Sequence, residues 1–214
     1  MVESIIPSLS NYPEEGQIIG RLLAGYGELE FEFAACLASA LNEDRQTALR
    51  VIFRTKGEES RINIGDAIMR PKYDAIGLKD QYDAMLGALR FCKRIRNQYA
   101  HCHWLDYPER GLFFTDLEEP VKTSKGEIYL KFRHVDVPLL MLQEAYFVYT
   151  NDWLGHLSHE YLKRAGRSSS HIYAAPKIKP QPPPHNPPER HPLPIEVQAD
   201  QQPPEQLLRG NHGK

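Results

Sequence analysis

A mainly helical fold is what this chain predicts: all-α, a four- or five-helix bundle with a small β-hairpin insertion and a disordered, proline-rich C-terminal tail. Three observations carry that expectation. Apolar residues recur at spacings of three and four between Pro13 and Arg164; the interval from Leu112 to Phe132 changes to short β-prone runs; and eleven of the seventeen prolines fall between Arg167 and Lys214, where large apolar residues are scarce. The boundaries that follow are an N-terminal extension over 1–13, a helical bundle over 14–166 with the hairpin at about 111–135, and the tail over 167–214.

Pro13-Glu14-Glu15 opens the first long helix, because proline tolerates a first turn and acids there meet the positive end of the helix dipole. Ile19, Leu22, Leu23, Tyr26, Leu29, Phe33, Cys36, Leu37, Ala40 and Leu41 mark one face of it. Asn42-Glu43-Asp44 restarts the chain, with a shorter helix over Arg45–Arg54 and another over Glu59–Met69 that Pro71 is expected to end. A fourth helix is predicted from Lys79 to Trp104, with Tyr82, Met85, Leu86, Leu89, Cys92 and Tyr99 along its buried side. Leu112–Thr115 and Glu127–Phe132, on either side of a polar stretch with Thr-Ser-Lys-Gly, read as the two strands of a hairpin capping the bundle. Asp136 is an N-cap for the last helix, Val137 to Arg164, with Pro138 in its first turn and a stripe at Leu139, Leu142, Tyr146, Tyr149, Trp153 and Leu157. The tail buries too little surface to offset its ordering entropy and reads as a solvated, partly polyproline-like spacer. Pro184-x-x-Pro187 within it has the shape that docks in aromatic grooves.

Composition narrows the function classes. An apolar content of 41% supports a packed core, yet charges interrupt every apolar stretch before the roughly 20 residues that a membrane span requires. Glu3 comes early and no apolar run resembles a secretory signal, so a soluble, cytoplasmic protein without membrane contact is the expectation. Cys36, Cys92 and Cys102 are an odd number without Cys-x-x-Cys spacing and read as buried thiols, neither a disulfide framework nor a zinc site. A net charge of -2 supplies no global attraction to polyanions. DNA binding is not expected, and any RNA must be held by a local cluster of cations.

That cluster runs from Arg90 into Arg96-Asn97-Gln98-Tyr99-Ala100-His101. At about 100° per residue, Leu89, Cys92, Arg96 and Tyr99 fall on the apolar stripe, which sets a guanidinium facing the core. Such a group requires an acceptor, and Glu30, the acid on the apolar face of the first helix, is the expected partner. Arg90, Arg94, Asn97 and His101 form a second stripe roughly 100 to 160° away, a basic face ending in an imidazole, with Lys93 beside it. Arginine forks suit phosphate oxygens, and an imidazole both accepts and releases protons near neutrality. His103 and Cys102 beside His101 do not make a metal set, because His-x-His on a helix directs the rings apart and no carboxylate completes it. Glu28, Glu30 and Glu32 look like paired carboxylates, but two of them are expected to face solvent. The same residues also fit a structural role, in which Arg96, Glu30 and Asn97 join helices and His101 caps the last turn.

Arg96-Asn97-x-x-x-His101, late on a helix of an all-α domain, resembles the Arg-x4-His signature of HEPN domains, a family that includes metal-independent endoribonucleases of toxin, antiphage and RNA-processing systems. The resemblance covers residues 14 to 164 in architecture and six residues in motif. It implies a homodimer whose two motifs meet in one cleft, with no cofactor and no metal. It further implies that His101 assists attack of a ribose 2′-hydroxyl, Arg96 stabilises the developing charge, Asn97 orients one of them, and a 2′,3′-cyclic phosphate is formed. One toxin branch of the family carries a tyrosine two residues after the histidine, where a partner nucleotidyltransferase modifies it. Position 103 here is histidine, so that regulation is not expected. Other HEPN-like bundles are binding or dimerisation modules, and a non-catalytic helical interaction module is the alternative, its tail reaching a protein partner. A third reading is an antitoxin-like partner of another protein.

Overall fold

Two helices of 28 residues, α2 (Pro13–Ala40) and α6 (Val137–Arg164), form the axis of the bundle. In the computed structural model, which describes residues 5–42, 44–107, 110–117, 130–167 and 174–186, they pack along their length, about 42 Å each. Buried polar contacts pin the pair: Cys36 Sγ donates to the Leu154 carbonyl at 3.2 Å, and the Ser39 and Ser158 hydroxyls meet at 2.8 Å. Around them stand α1 (Pro7–Asn11), α3 (Arg45–Arg54), α4 (Glu58–Ala75) and α5 (Lys79–Ala100). The fold of the described residues is mostly helical with a small three-stranded antiparallel sheet, β1 (Cys102–Tyr107), β2 (Gly111–Asp116) and β3 (Arg133–Val135), ordered β1-β2-β3. Phe114, Leu112, Trp104 and Val135 of that sheet join the core, so it closes one end of the bundle.

Local chemistry explains most boundaries. Asp44 caps α3 by accepting from the Thr47 amide, and Asp136 caps α6 by accepting from the Leu139 amide, each at 2.9 Å. Residues 7–11 of the expected extension form α1, whose Ser8 hydroxyl donates to the Trp104 carbonyl at 3.2 Å and docks it on β1. Pro71 does not end α4, which continues to Ala75. The lost hydrogen bond is offset by Tyr73, fully buried beyond the proline and donating to the Cys36 carbonyl at 3.2 Å. The fourth helix stops at Ala100, not Trp104, and residues 102–107 form β1 instead. Trp104 and Tyr107 are β-prone, and Trp104 packs on Tyr99 and Phe114 rather than along the helix stripe.

The hairpin is therefore redrawn. β2, which contains the expected Leu112–Thr115 strand, pairs with β1 on one side and β3 on the other, with Trp104 opposite Phe114 and Phe114 opposite Arg133. Residues 127–129 of the other expected strand lie outside the described residues. Gly111, at the tight β1–β2 turn, has φ +111°, and a Cβ there would lie 2.6 Å from His134 Nε2. Gly111→Ala is expected to destabilise the fold by about 1–3 kcal/mol, read as a lower urea midpoint.

The three thiols are free, with Cys36 and Cys92 buried and Cys102 half-buried. Burial pushes each up to about 12 from an ordinary value of 9.0. Above pH 9.0 the unfolded chain therefore releases protons that the folded chain retains, so stability falls as pH rises from 9.0 toward about 12. The buried Tyr26, Tyr73, Tyr82 and Tyr99 hydroxyls, also pushed up by burial, add to the same trend at higher pH. Denaturation at neutral pH and again at about pH 10.5 checks this; an unchanged midpoint would contradict it.

The expected tail is ordered in part. Residues 174–186 run extended across α5 and α6, with Pro182 and Asn186 buried, while 168–173 and 187–214 lie outside the described residues. The seat is polar. Gln143 of α6, fully buried, donates through Nε2 to the Pro183 carbonyl at 2.9 Å and accepts from the Tyr99 hydroxyl at 2.8 Å. Gln98 Nε2 donates to the Pro184 carbonyl, and Asn186 Nδ2 meets His134 Nδ1 at 3.2 Å. Four polar side chains thus hold a segment that composition alone marks as a solvated spacer. On α6 itself Leu142, expected in the stripe, is 59% exposed, and Gln143 takes the inward place beneath the strap.

Candidate functional site

The basic stripe opens onto a groove of about 710 Å³ between the start of α4, the end of α5, the sheet and the strap. Arg90, Lys93, Arg94, Asn97 and His101 line it from α5, Glu59 from α4, Asp116 from β2 and Arg133 from β3, while Pro184 and His185 form its strap-side wall. His101 is exposed at the C-cap of α5, where the chain turns into β1.

The cations differ in availability. Arg90 reaches Asn63 at 3.3 Å and Asp66 at 3.8 Å, and Lys93 pairs with Glu59. Arg94 lies over the Phe91 ring at 4.9 Å from its centroid and makes no ion pair among the described residues. The expected basic stripe is thus present, but acids from α4 neutralise part of it. Glu58 and Glu59 are in the first turn of α4, where the dipole favours them, and they lie against α5 because the two helices pack side by side.

Arg96 is the main correction. It does not meet Glu30: its Nη1 donates to Glu58 Oε1 at 2.7 Å and to Asn97 Oδ1 at 3.0 Å. Glu30 instead accepts from Arg61 Nη1 at 2.8 Å. The guanidinium is half-buried, its side chain 29% exposed, and it is not among the residues that line the groove. The carboxylate that pairs with it comes from α4, which packs against both its helix and Glu30's. Tyr26 reports the same cluster: its hydroxyl is pushed up first by burial and then by the Glu30 and Glu58 carboxylates, with Arg96 opposing. Glu30, Arg61, Glu58, Arg96 and Asn97 therefore join α2, α4 and α5 in one half-buried polar layer.

His185 and Arg133 are among the groove residues that sequence reasoning missed, with Glu59 and Asp116. His185 was hidden because proline-rich composition argues for solvation, and Arg133 because its strand is only three residues long. For His185 the available signal was the run Gln181 to Asn186, where polar residues with donors and acceptors interrupt the prolines. A second hollow, about 650 Å³, lies between α2, α3 and α6 and is lined mainly by Phe31, Leu49, Ala34, Ala35, Ala38 and Leu162 with His159. It contains none of the motif residues. Among the described residues no group of three or more His, Cys, Asp or Glu side chains forms a metal-holding cluster, and no helix is long and apolar enough to cross a membrane. Compared with protein-family models, curated proteins and solved structures, the chain has no match.

Proposed function

We propose that this chain is a HEPN-like, metal-independent endoribonuclease of toxin or defence type, acting in the cytoplasm as a homodimer without a cofactor. The observation that carries it is the groove, which brings His101 and Asn97 together with Arg90, Lys93 and Arg94 on one open surface. Cations there attract the RNA backbone, and an exposed imidazole exchanges protons beside it. Arg94, unpaired, is the phosphate contact in this reading. Arg96 acts through Asn97, its guanidinium fixing that amide.

The test is incubation of the purified protein with mixed RNA in EDTA, beside His101→Ala and Arg96→Ala. Cleavage by the parent that both variants lose supports the reading; equal cleavage by all three, or none by any, sinks it. Binding supplies a separate check. Arg94→Ala is expected to weaken single-stranded RNA binding and to reduce the slope of log affinity against log salt by about 0.7, measured by fluorescence anisotropy.

The alternative is a non-catalytic HEPN-like interaction or dimerisation module, favoured by the closed Arg96–Glu58 pair and its hydrogen bond to Asn97. It predicts a folded protein without RNA cleavage whose helices loosen when Arg96 is removed.

A further inference from the structure

Cleavage by a 2′-hydroxyl needs two proton movements, and the motif of each protomer supplies one imidazole. As the O2′–P bond forms, the hydroxyl gives its proton to a base; as the P–O5′ bond breaks, the departing oxygen takes a proton from an acid. The groove holds a second imidazole. His185 lines it together with the α5 residues, brought there by a strap whose neighbouring residues are anchored on both sides. On one side Pro183 and Pro184 accept from Gln143 and Gln98; on the other, buried Asn186 meets His134.

We propose that His185 is the second proton-transfer group of this site, acting with His101 in the groove, so that the C-terminal strap completes the machinery. The inference rests on the nuclease reading above. His185 is the base. It takes the 2′-hydroxyl proton while the O2′ lone pair bonds to phosphorus; His101, in its protonated form, gives a proton to O5′ as that oxygen leaves with the P–O5′ electron pair. A 2′,3′-cyclic phosphate and a 5′-hydroxyl result, and solvent exchange restores both rings. Two features of the surroundings fit this division. Burial first, and the Arg133 guanidinium second, push the His185 imidazole down from its ordinary value of 6.5, so it is neutral and able to accept a proton at neutral pH. Its Nδ1 is buried with no hydrogen-bond partner among the described residues, so in this reading Nε2 is the ring nitrogen that meets the 2′-hydroxyl. The charged groups around the groove are Glu59 from α4, Arg90, Lys93 and Arg94 from α5, Asp116 from β2 and Arg133 from β3. Cations outnumber acids there, which favours both the neutral ring and the bound phosphate.

The experiment uses the full chain and a defined RNA oligonucleotide in EDTA. His185→Gln is expected to lower kcat by about 10²–10⁴-fold with little change in KM, and to remove the acidic limb of the pH–rate profile. A substrate with sulfur in place of the bridging 5′ oxygen separates the two roles, because a thiolate leaves without a proton. It should rescue His101→Ala and leave His185→Gln defective. If the parent does not cut RNA, the nuclease reading and this inference fall together. If the parent cuts and His185→Gln stays within twofold of it, this inference alone is overturned, as it is if the sulfur substrate rescues His185→Gln. Should that variant not fold, histidine-ring NMR of the unsubstituted chain with a 3′-mononucleotide decides: His185 and His101 signals must both shift, and an unmoved His185 rejects the proposal.

Discussion

Replacing Phe33 with alanine is expected to lower the unfolding free energy by about 3–5 kcal/mol. Phe33 of α2 is 1% exposed and presses on α4 at Gly65, where a Cβ would lie only 2.5 Å from its ring. That glycine lets the ring approach the α4 backbone, so truncating the ring leaves a cavity bounded by helix rather than by side chains able to collapse into it. The reverse change, Gly65→Ala, overpacks the same contact and should cost about 1–3 kcal/mol. The two are coupled: with Phe33→Leu in place, Gly65→Ala should become markedly less harmful, because the added methyl occupies space the smaller side chain has vacated. Urea denaturation of the four proteins measures the cycle. Additive costs would show that the ring and the glycine do not share one space.

The second large effect is catalytic. On the proposed nuclease reading, His101→Ala should reduce RNA cleavage by about 10²–10⁴-fold while leaving the denaturation midpoint unchanged, since the side chain is exposed at a helix end. Arg96→Ala should behave differently. It strands Glu58, whose side chain is 20% exposed, and releases the Asn97 amide, so activity and about 1–3 kcal/mol of stability should fall together. Arg96→Lys separates charge from shape: an ammonium can hold Glu58, but it does not reproduce the reach and planarity that bring Nη1 to both Glu58 and Asn97. Its midpoint should return toward the parent's while its activity stays low. A His101→Ala protein as active as the parent would remove the imidazole from the mechanism.

Where local chemistry sets a boundary, the sequence is a good guide. Arg45–Arg54 and Val137–Arg164 are legible because Asp44 and Asp136 cap them, and Pro13 with its two acids marks the start of α2. Tertiary competition decides the remainder. Pro71 argues for a helix end, but burial of Tyr73 carries α4 past it. Helical spacing gives Arg96 a need for an acid partner, yet cannot tell which of several acids on neighbouring helices meets it, and Glu58 does. Gln143 reads as a surface residue among apolar neighbours; its burial makes sense only once a strap from 40 residues later supplies a carbonyl for its amide. The motif residues of the groove lie within six adjacent letters, whereas its strap-side lining comes from residues about 85 positions away, beyond any periodicity.

The pairing of α2 with α6 has a consequence for how the chain reaches this state. Their buried contacts join residues 118 and 119 positions apart, so the central interface closes one of the longest loops the chain can make. Helical proteins usually fold fast because their contacts are local; this one should fold slowly for its class, waiting on a late, long-range encounter. During synthesis α2 emerges with Leu22, Phe33 and Leu37 exposed and without α6 to cover them. Nascent or truncated chains lacking α6 should therefore be the aggregation-prone species, held in solution by chaperones until the last helix arrives.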